Sequence, residues 1–399
     1  MFEHVKAFPG DPILSLNEDF QDDPRVNKVN LSIGIYFDAY GKLPVMAAVR
    51  DAEHALARET RPRPYLPMAG LPDYRDAVYQ LVFGNVCGVH TERRIATLQT
   101  LGGSGALKVG ADFLRRTLPN AQVWISDPSW ENHRVVFERA GFTVNTYPYY
   151  DSATGGVRFT AMLDALRAIS NRHIVLLHAC CHNPTGVDLD HHQWREVISL
   201  IEKKELLPFI DMAYQGFGTD LDDDAFAVRE LTARGISCLV ANSFSKNFAL
   251  YGERCGGLSV VCQSNEEATR VLGQLTGAVR SNYSNPPTYG AKVVHRVLCT
   301  PILRTLWQSE LASMCKRIAA MRHAIYERLK DRRIEDSLLS CYVRQRGMFT
   351  YTGFSSTQVD RLRTEHGVYL VRSGRMCIAG LNEQNIDVVA DAIARVLLV

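Results

Sequence analysis

Ser243-Phe-Ser-Lys246-Asn-Phe248 places one lysine among hydroxyls, directly after the β-like run Cys238-Leu-Val-Ala-Asn242. A second cation, Arg254, follows eight residues later. A lysine alone says little. In this setting it suggests an amine used as a nucleophile with an anion held nearby, the combination for Schiff-base chemistry on a carbonyl.

That lysine needs a frame. Strand-like runs recur at Val123–Ser126, Phe142–Tyr147, His173–His178, Leu206–Ile210, Cys238–Asn242 and Leu258–Val261. The unbroken apolar character of His173–His178 is that of a strand buried on both faces. Helical patterns fall between the strands. One opens at Gly102-Gly-Ser-Gly105 with Leu107, Phe113 and Leu114 on one face. Another is capped by Asp190, with Trp194, Val197, Ile198 and Ile201 on one side. Alternating α and β segments predict an α/β fold with a mostly parallel central sheet and flanking helices. From about residue 312 the texture becomes α+β: a helix over 312–330, short strands near 347–352 and 375–379, and a last helix over 382–397. The expected organisation is an N-terminal arm over 1–43 that also joins a smaller lobe, a large domain over 44–311, and the rest of the smaller lobe over 312–399. Residues 1–28, with Pro9, Pro12 and Pro24, read as an extended, irregular arm.

The chain has 399 residues, enough for one large domain and a smaller one, and 45 basic against 43 acidic residues. That balance offers no surface for nucleic acid or a membrane. Ten cysteines occur without a CxxC pair or zinc spacing, so they read as free thiols of a reducing compartment, with no metal. The start lacks a basic, then apolar, leader, and no apolar run approaches the ~20 residues of a membrane span. The expected location is the cytoplasm.

In parallel sheets ligands bind beyond the carboxyl ends of the strands. Here those ends carry Asp127-Pro-Ser-Trp130, Cys181-His-Asn183-Pro-Thr-Gly186, Asp211-Met-Ala-Tyr214 and Ser243-Phe-Ser-Lys246. Gly102–Gly105 can offer backbone N–H groups to a phosphate, but matches neither GxGxxG nor GxxxxGK[ST]. Taken singly, Lys246 fits a surface lysine, Asp211 a helix cap, Asn183-Pro-Thr-Gly an ordinary turn, Trp130 and His133 core residues, and Arg254 and Arg375 surface ion pairs. Their joint spacing is what these separate readings leave unexplained.

In that order the residues resemble the fold-type I pyridoxal-phosphate enzymes. They most resemble the class I aspartate/aromatic aminotransferases, on the side of the bacterial aromatic (tyrosine) enzymes. The matching segments are Tyr65–Arg75, Gly102–Leu107, Asp127–His133, Cys180–Gly186, Asp211–Phe217, Ser243–Arg254, Arg280–Pro287 and Ser373–Arg375, nearly the whole chain. The resemblance implies pyridoxal 5'-phosphate bound to Lys246 as an imine, with Lys246 also carrying the proton. It places Asp211 on the ring nitrogen, oriented by His133, and Tyr214 and Asn183 on the phenolic oxygen. Trp130 covers the ring. Gly103, Ser104, Gly105, Ser243, Ser245 and Arg254 hold the phosphate, with Tyr65 reaching in from a second subunit of a homodimer. Arg375 forks the substrate α-carboxylate, with Gly34 and Asn183 assisting and Phe349 beside it.

Substrate choice is expected at Phe37, Leu43, Ser104 and Arg280. Arg280 matches the family arginine that meets a side-chain carboxylate across the dimer. Strictly aspartate-directed members carry Lys and Thr where Phe37 and Leu43 stand, and usually Asn and Thr where Pro64 and Ser104 stand. All four changes make the site less polar or less bulky. Asn285 runs the other way. The expectation is an aromatic aminotransferase passing the amino group of Phe and Tyr, with Trp, Asp and Glu as further substrates, to 2-oxoglutarate in ping-pong fashion. The alternatives are a narrow aspartate aminotransferase, a pyridoxal-phosphate lyase and a non-enzymatic ligand-binding protein.

Overall fold

The computed structural model describes residues 1–7, 10–60, 62–84 and 93–398; Pro9 and Cys87 lie outside the described residues. The chain divides into two compact units, one of Val45–Asn183 and Val187–Lys316, the other of Met1–Pro44, Pro184–Gly186 and Arg317–Val399.

The larger unit is built on a seven-stranded sheet. Its strands are β1 (Ile95–Leu101), β2 (Val123–Asp127), β3 (Val144–Pro148), β4 (Ile174–His178), β5 (Leu207–Met212), β6 (Cys238–Ser243) and β7 (Cys255–Val261), in the spatial order β1-β7-β6-β5-β4-β2-β3. β3, β2, β4, β5 and β6 are parallel neighbours, and β7 runs antiparallel between β6 and β1. The reason is the connection. Residues 244–254 contain turns and no helix, and a parallel return requires a longer crossover. Lys246 sits in that connection and Arg254 ends it.

The interior strands are buried: every residue of β6 is buried, as are Ile174, Val175, Leu176 and Leu177 of β4. Helix Gly102–Thr117 packs Ala106, Leu107, Val109, Phe113 and Leu114 onto the sheet. Gly110 permits the contact, since a Cβ there would lie 2.6 Å from Cζ of Phe209 on β5. Asp190 begins helix His191–Lys204 with a reciprocal cap: its carboxylate accepts from Gln193 N at 2.8 Å, and the Gln193 side chain accepts from Asp190 N at 3.0 Å.

The smaller unit pairs Val29–Asn30 in parallel with Val368–Tyr369, and Phe349–Tyr351 antiparallel with Arg375–Cys377. Two expectations change. The N-terminal segment is not wholly extended, because Leu14–Asp22 is helical. Asp11 Oδ1 accepts from Ile13 N at 2.9 Å and Leu14 N at 2.8 Å, capping the turn, and Phe20 packs edge-on against Tyr369 at 5.2 Å. The long helix begins at Pro301 rather than near 312, with Pro in its favoured first turn and Trp307 and Leu311 buried.

Candidate active site

Ser243 ends β6, and residues 245–248 turn away from the sheet. The turn is fixed from several sides. Phe244 N donates to Cys255 O at 3.0 Å, Trp307 Nε1 donates to Asn247 O at 2.7 Å, and Asn247 Nδ2 donates to Gln215 O at 3.2 Å. Phe248 stacks on Trp307 at 4.7 Å and meets Phe244 edge-on at 5.2 Å. Lys246 itself is half-buried, its Nζ 5.0 Å from the ring centroid of the buried Tyr214. Tyr214 follows β5 at the same sheet edge.

Asp211 stands near the end of β5, in register with His178 of β4 on one side and Ala241 of β6 on the other. Its Oδ2 lies 2.8 Å from Nε2 of the fully buried His133, whose Nδ1 lies 2.9 Å from Ser129 Oγ. Burial alone would raise the Asp211 carboxyl. The hydrogen bond from His133, with the positive charge of Lys246 nearby, outweighs that and holds its pKa below the ordinary value. An ionised carboxylate only accepts, so His133 donates to Asp211 from Nε2. His133, His178 and Asp211 offer donor atoms within 4.8 Å of one another, a set that could take a metal ion. The direct His133–Asp211 hydrogen bond already occupies the space between two of them.

The anion cradle lies at the same edge. Ser243 Oγ is 3.2 Å from Ser245 Oγ and accepts from Ser245 N at 3.2 Å, and Arg254 Nη1 donates to Ser245 Oγ at 3.4 Å. Helix Gly102–Thr117 starts here without a side-chain cap, so Gly103, Ser104 and Gly105 form a first turn whose N–H groups are open to an anion. Gly102 has φ +66°, and a Cβ on it would come 2.8 Å from Arg254 Nη2; a Cβ on Gly103 would meet Ser243 Cβ at 3.2 Å. The approach of two hydroxyls, a guanidinium and a helix start around side-chain-free backbone fits a phosphate. Together with Lys246 and Asp211, these residues fit a phosphorylated pyridine aldehyde.

Trp130 begins helix Glu131–Arg139 and meets His133 edge-on at 5.2 Å. Asn183 is buried on the loop after β4. Two other expected residues point elsewhere: Tyr65 is 91% exposed, and Arg280 is exposed with its guanidinium 2.6 Å from Ser284 Oγ.

In the smaller unit, Arg375 is 1% exposed, donates from Nη2 to Ser32 O at 2.8 Å, and lies over the Phe349 ring at 4.4 Å. A Cβ on Gly34 would come 2.9 Å from Phe349 Cζ, so Gly34, Phe349 and Arg375 form one packed group. Phe37 is half-buried, its N bonded to Ala379 O at 3.1 Å, and Leu43 is 47% exposed.

Sequence reasoning missed a column of rings behind Asp211. Tyr149 stacks on His182 at 4.0 Å, His182 meets His178 at 4.3 Å, and His178 meets His133 at 5.0 Å. Ser126 Oγ lies 2.8 Å from His182 Nε2. Burial, reinforced by His133, pushes the His178 pKa down to about 3. The available signal was the pair of histidines at one strand end, His178 and His182, four residues apart.

The family model "Aminotransferase class I and II" matches residues 26–393. The chain is 54% identical to an Escherichia coli (strain K12) protein named aromatic-amino-acid aminotransferase, over the full length of both. It superposes with a TM-score of 0.95 on the crystal structure of an aromatic amino acid aminotransferase from Burkholderia cenocepacia J2315, at 68% identity, covering 100% of this chain and 99% of that one. A Burkholderia pseudomallei aromatic-amino-acid aminotransferase covalently bound to pyridoxal phosphate gives a TM-score of 0.96 at 52% identity, with the same coverage.

Proposed function

The chain belongs to the class I and II aminotransferases, and from that premise we propose that it is a pyridoxal-phosphate-dependent aromatic aminotransferase. It passes the amino group of Phe, Tyr and Trp, with Asp and Glu retained as substrates, to 2-oxoglutarate by a ping-pong mechanism. The observation that carries this reading is one sheet edge bearing Lys246, the Asp211–His133 pair and the Ser243–Ser245–Arg254 cradle. When bound, pyridoxal phosphate supplies an aldehyde carbon for the amino group and a ring that accepts the electrons of the broken C–H bond.

Each residue then has a physical task. Lys246 Nζ would hold the aldehyde carbon, and as a free amine it would take the proton from the substrate Cα and give it back to the neighbouring carbon. Asp211, kept anionic, would stabilise a proton on the ring nitrogen, and His133 keeps that carboxylate aimed. Tyr214 and Asn183 would supply hydrogen bonds to the ring oxygen, and Trp130 would cover the ring. Arg254, Ser243, Ser245 and the Gly103–Gly105 turn neutralise the phosphate. Arg375 binds the α-carboxylate as a two-pronged donor; Phe349 and Ser32 O hold its guanidinium in one orientation.

Phe37 and Leu43, in place of a charged and a hydroxyl side chain, favour an aromatic substrate group over a carboxylate. The exposure of Tyr65 and Arg280 supports a homodimer in which each reaches toward the other subunit. Among the described residues no helix is long and apolar enough to cross a membrane, and nine cysteines are free thiols. The free thiols support a reducing, cytoplasmic location.

Initial rates with varied Phe and 2-oxoglutarate test the reading; parallel double-reciprocal lines are expected. Turnover of Asp alone would leave the narrow aspartate enzyme, and oxo-acid release without an acceptor would indicate a lyase.

A further inference from the structure

Two loops at the carboxyl ends of β4 and β5 carry Asn183 and Tyr214, the two side chains assigned above to the cofactor's ring oxygen. A carboxylate further along the chain ties off each loop. Asp188 accepts from Cys181 N through Oδ2 and from His182 N through Oδ1, both at 2.8 Å. These are the two residues immediately before Asn183. Cys181 has φ +50°, a left-handed conformation that a side chain with a Cβ keeps only when its surroundings impose it. Asp224, which is buried, accepts from Gly216 N at 2.7 Å, Gly218 N at 3.0 Å and Thr219 N at 3.0 Å. Inside that clasp, Phe217 N donates to Tyr214 O at 2.9 Å, so the tied turn closes on Tyr214 itself.

Among the described residues Asp224 forms no ion pair, so its charge is committed to backbone N–H groups. A carboxylate only accepts, and its two oxygens can serve two or three N–H groups at once; an amide has one oxygen and turns N–H against N–H at the other position. Shape alone therefore does not explain an acid at these places.

We infer that Asp188 and Asp224 are positioning residues, which fix the aim of Asn183 and Tyr214 and through them the proton affinity of the lysine-bound nitrogen. The inference rests on the cofactor assignment proposed above. Donors aimed at the ring oxygen withdraw negative charge from it. That oxygen then holds the proton of the neighbouring nitrogen less tightly. Loosening either donor raises the pH at which the proton leaves.

The test is a pH titration of the visible absorption of the holoenzyme. Asp188→Asn and Asp224→Asn are each combined with Asn183→Ala and with Tyr214→Phe. Each single acid variant is expected to raise the midpoint by about half a unit or more, the size of one weakened hydrogen bond. The shift is expected to vanish when the partner is already removed, Asn183 for Asp188 and Tyr214 for Asp224, and to persist in the crossed pairs. Unchanged midpoints, or shifts that add fully with the partner's loss, overturn the inference. Where an amide variant does not fold, the Glu variant keeps the charge and moves the oxygens by one methylene. A raised midpoint in it supports the inference, and an unchanged one overturns it. A wild-type protein with no titrating visible band overturns the cofactor reading instead.

Discussion

His133 hydrogen-bonds the Asp211 carboxylate at 2.8 Å from a position with no solvent exposure. The pair keeps a negative charge inside the larger unit that burial alone would neutralise. The folded pKa of Asp211 lies below its ordinary value. Its contribution to stability is therefore present at neutral pH and lost as pH falls through the folded pKa.

Asp211→Asn keeps the shape and removes that charge. We expect kcat to fall about 10²- to 10³-fold, the order seen when one preorganised electrostatic partner is lost. Steady-state kinetics at saturating cofactor check this. A fall below tenfold would mean that the ring nitrogen has another partner.

His178 is neutral in the folded protein, its pKa pushed down by burial to about 3, whereas an unfolded histidine titrates near its ordinary 6.5. The unfolded chain binds the extra proton, so stability is lost as pH falls from about 6.5 toward 3, with a limiting slope of about 1.4 kcal/mol per unit. His178→Phe, which keeps a ring between His133 and His182, is expected to flatten that acid limb in denaturant titrations between pH 4 and 6.5, whatever its effect at pH 7.

Arg375→Lys keeps a positive charge and loses the planar fork and the stack on Phe349. We expect kcat/KM for Phe and Asp to fall together by about 100-fold, close to 3 kcal/mol. A loss confined to one substrate would place Arg375 on the side chain instead of the shared α-carboxylate.

Phe37→Lys restores the residue of the strictly aspartate-directed members. The expected outcome is about a tenfold fall in kcat/KM for Phe relative to Asp, about 1.4 kcal/mol of discrimination. An unchanged ratio would make Phe37 a packing residue.

Much of the frame was legible because buried parallel strands are written as continuous apolar runs, and the polar residues that follow them stand at one sheet edge. β4, β5 and β6 fall within two residues of the expected bounds. Helix Leu14–Asp22 was not legible, since it depends on the Asp11 cap and on Tyr369, more than 300 residues away. The antiparallel direction of β7 depends on the lack of a helix in residues 244–254, which periodicity does not reveal. His178, His182, Asp188 and Asp224 act through register, stacking and backbone hydrogen bonds, and residue type alone does not announce these. Phe349 and Gly34 were named at the outset, but their packing around Arg375 is a fact of three dimensions.

The central claim is that Lys246 holds a cofactor that takes the amino group of an aromatic amino acid. The direct measurement adds Phe alone, without an oxo acid, to the purified holoenzyme and follows the visible spectrum and the oxo acid released. The account predicts loss of the visible band with about one equivalent of oxo acid per subunit, recovery on adding 2-oxoglutarate, and no such band in Lys246→Ala. A Lys246→Ala protein that keeps the band and turns over Phe would contradict it.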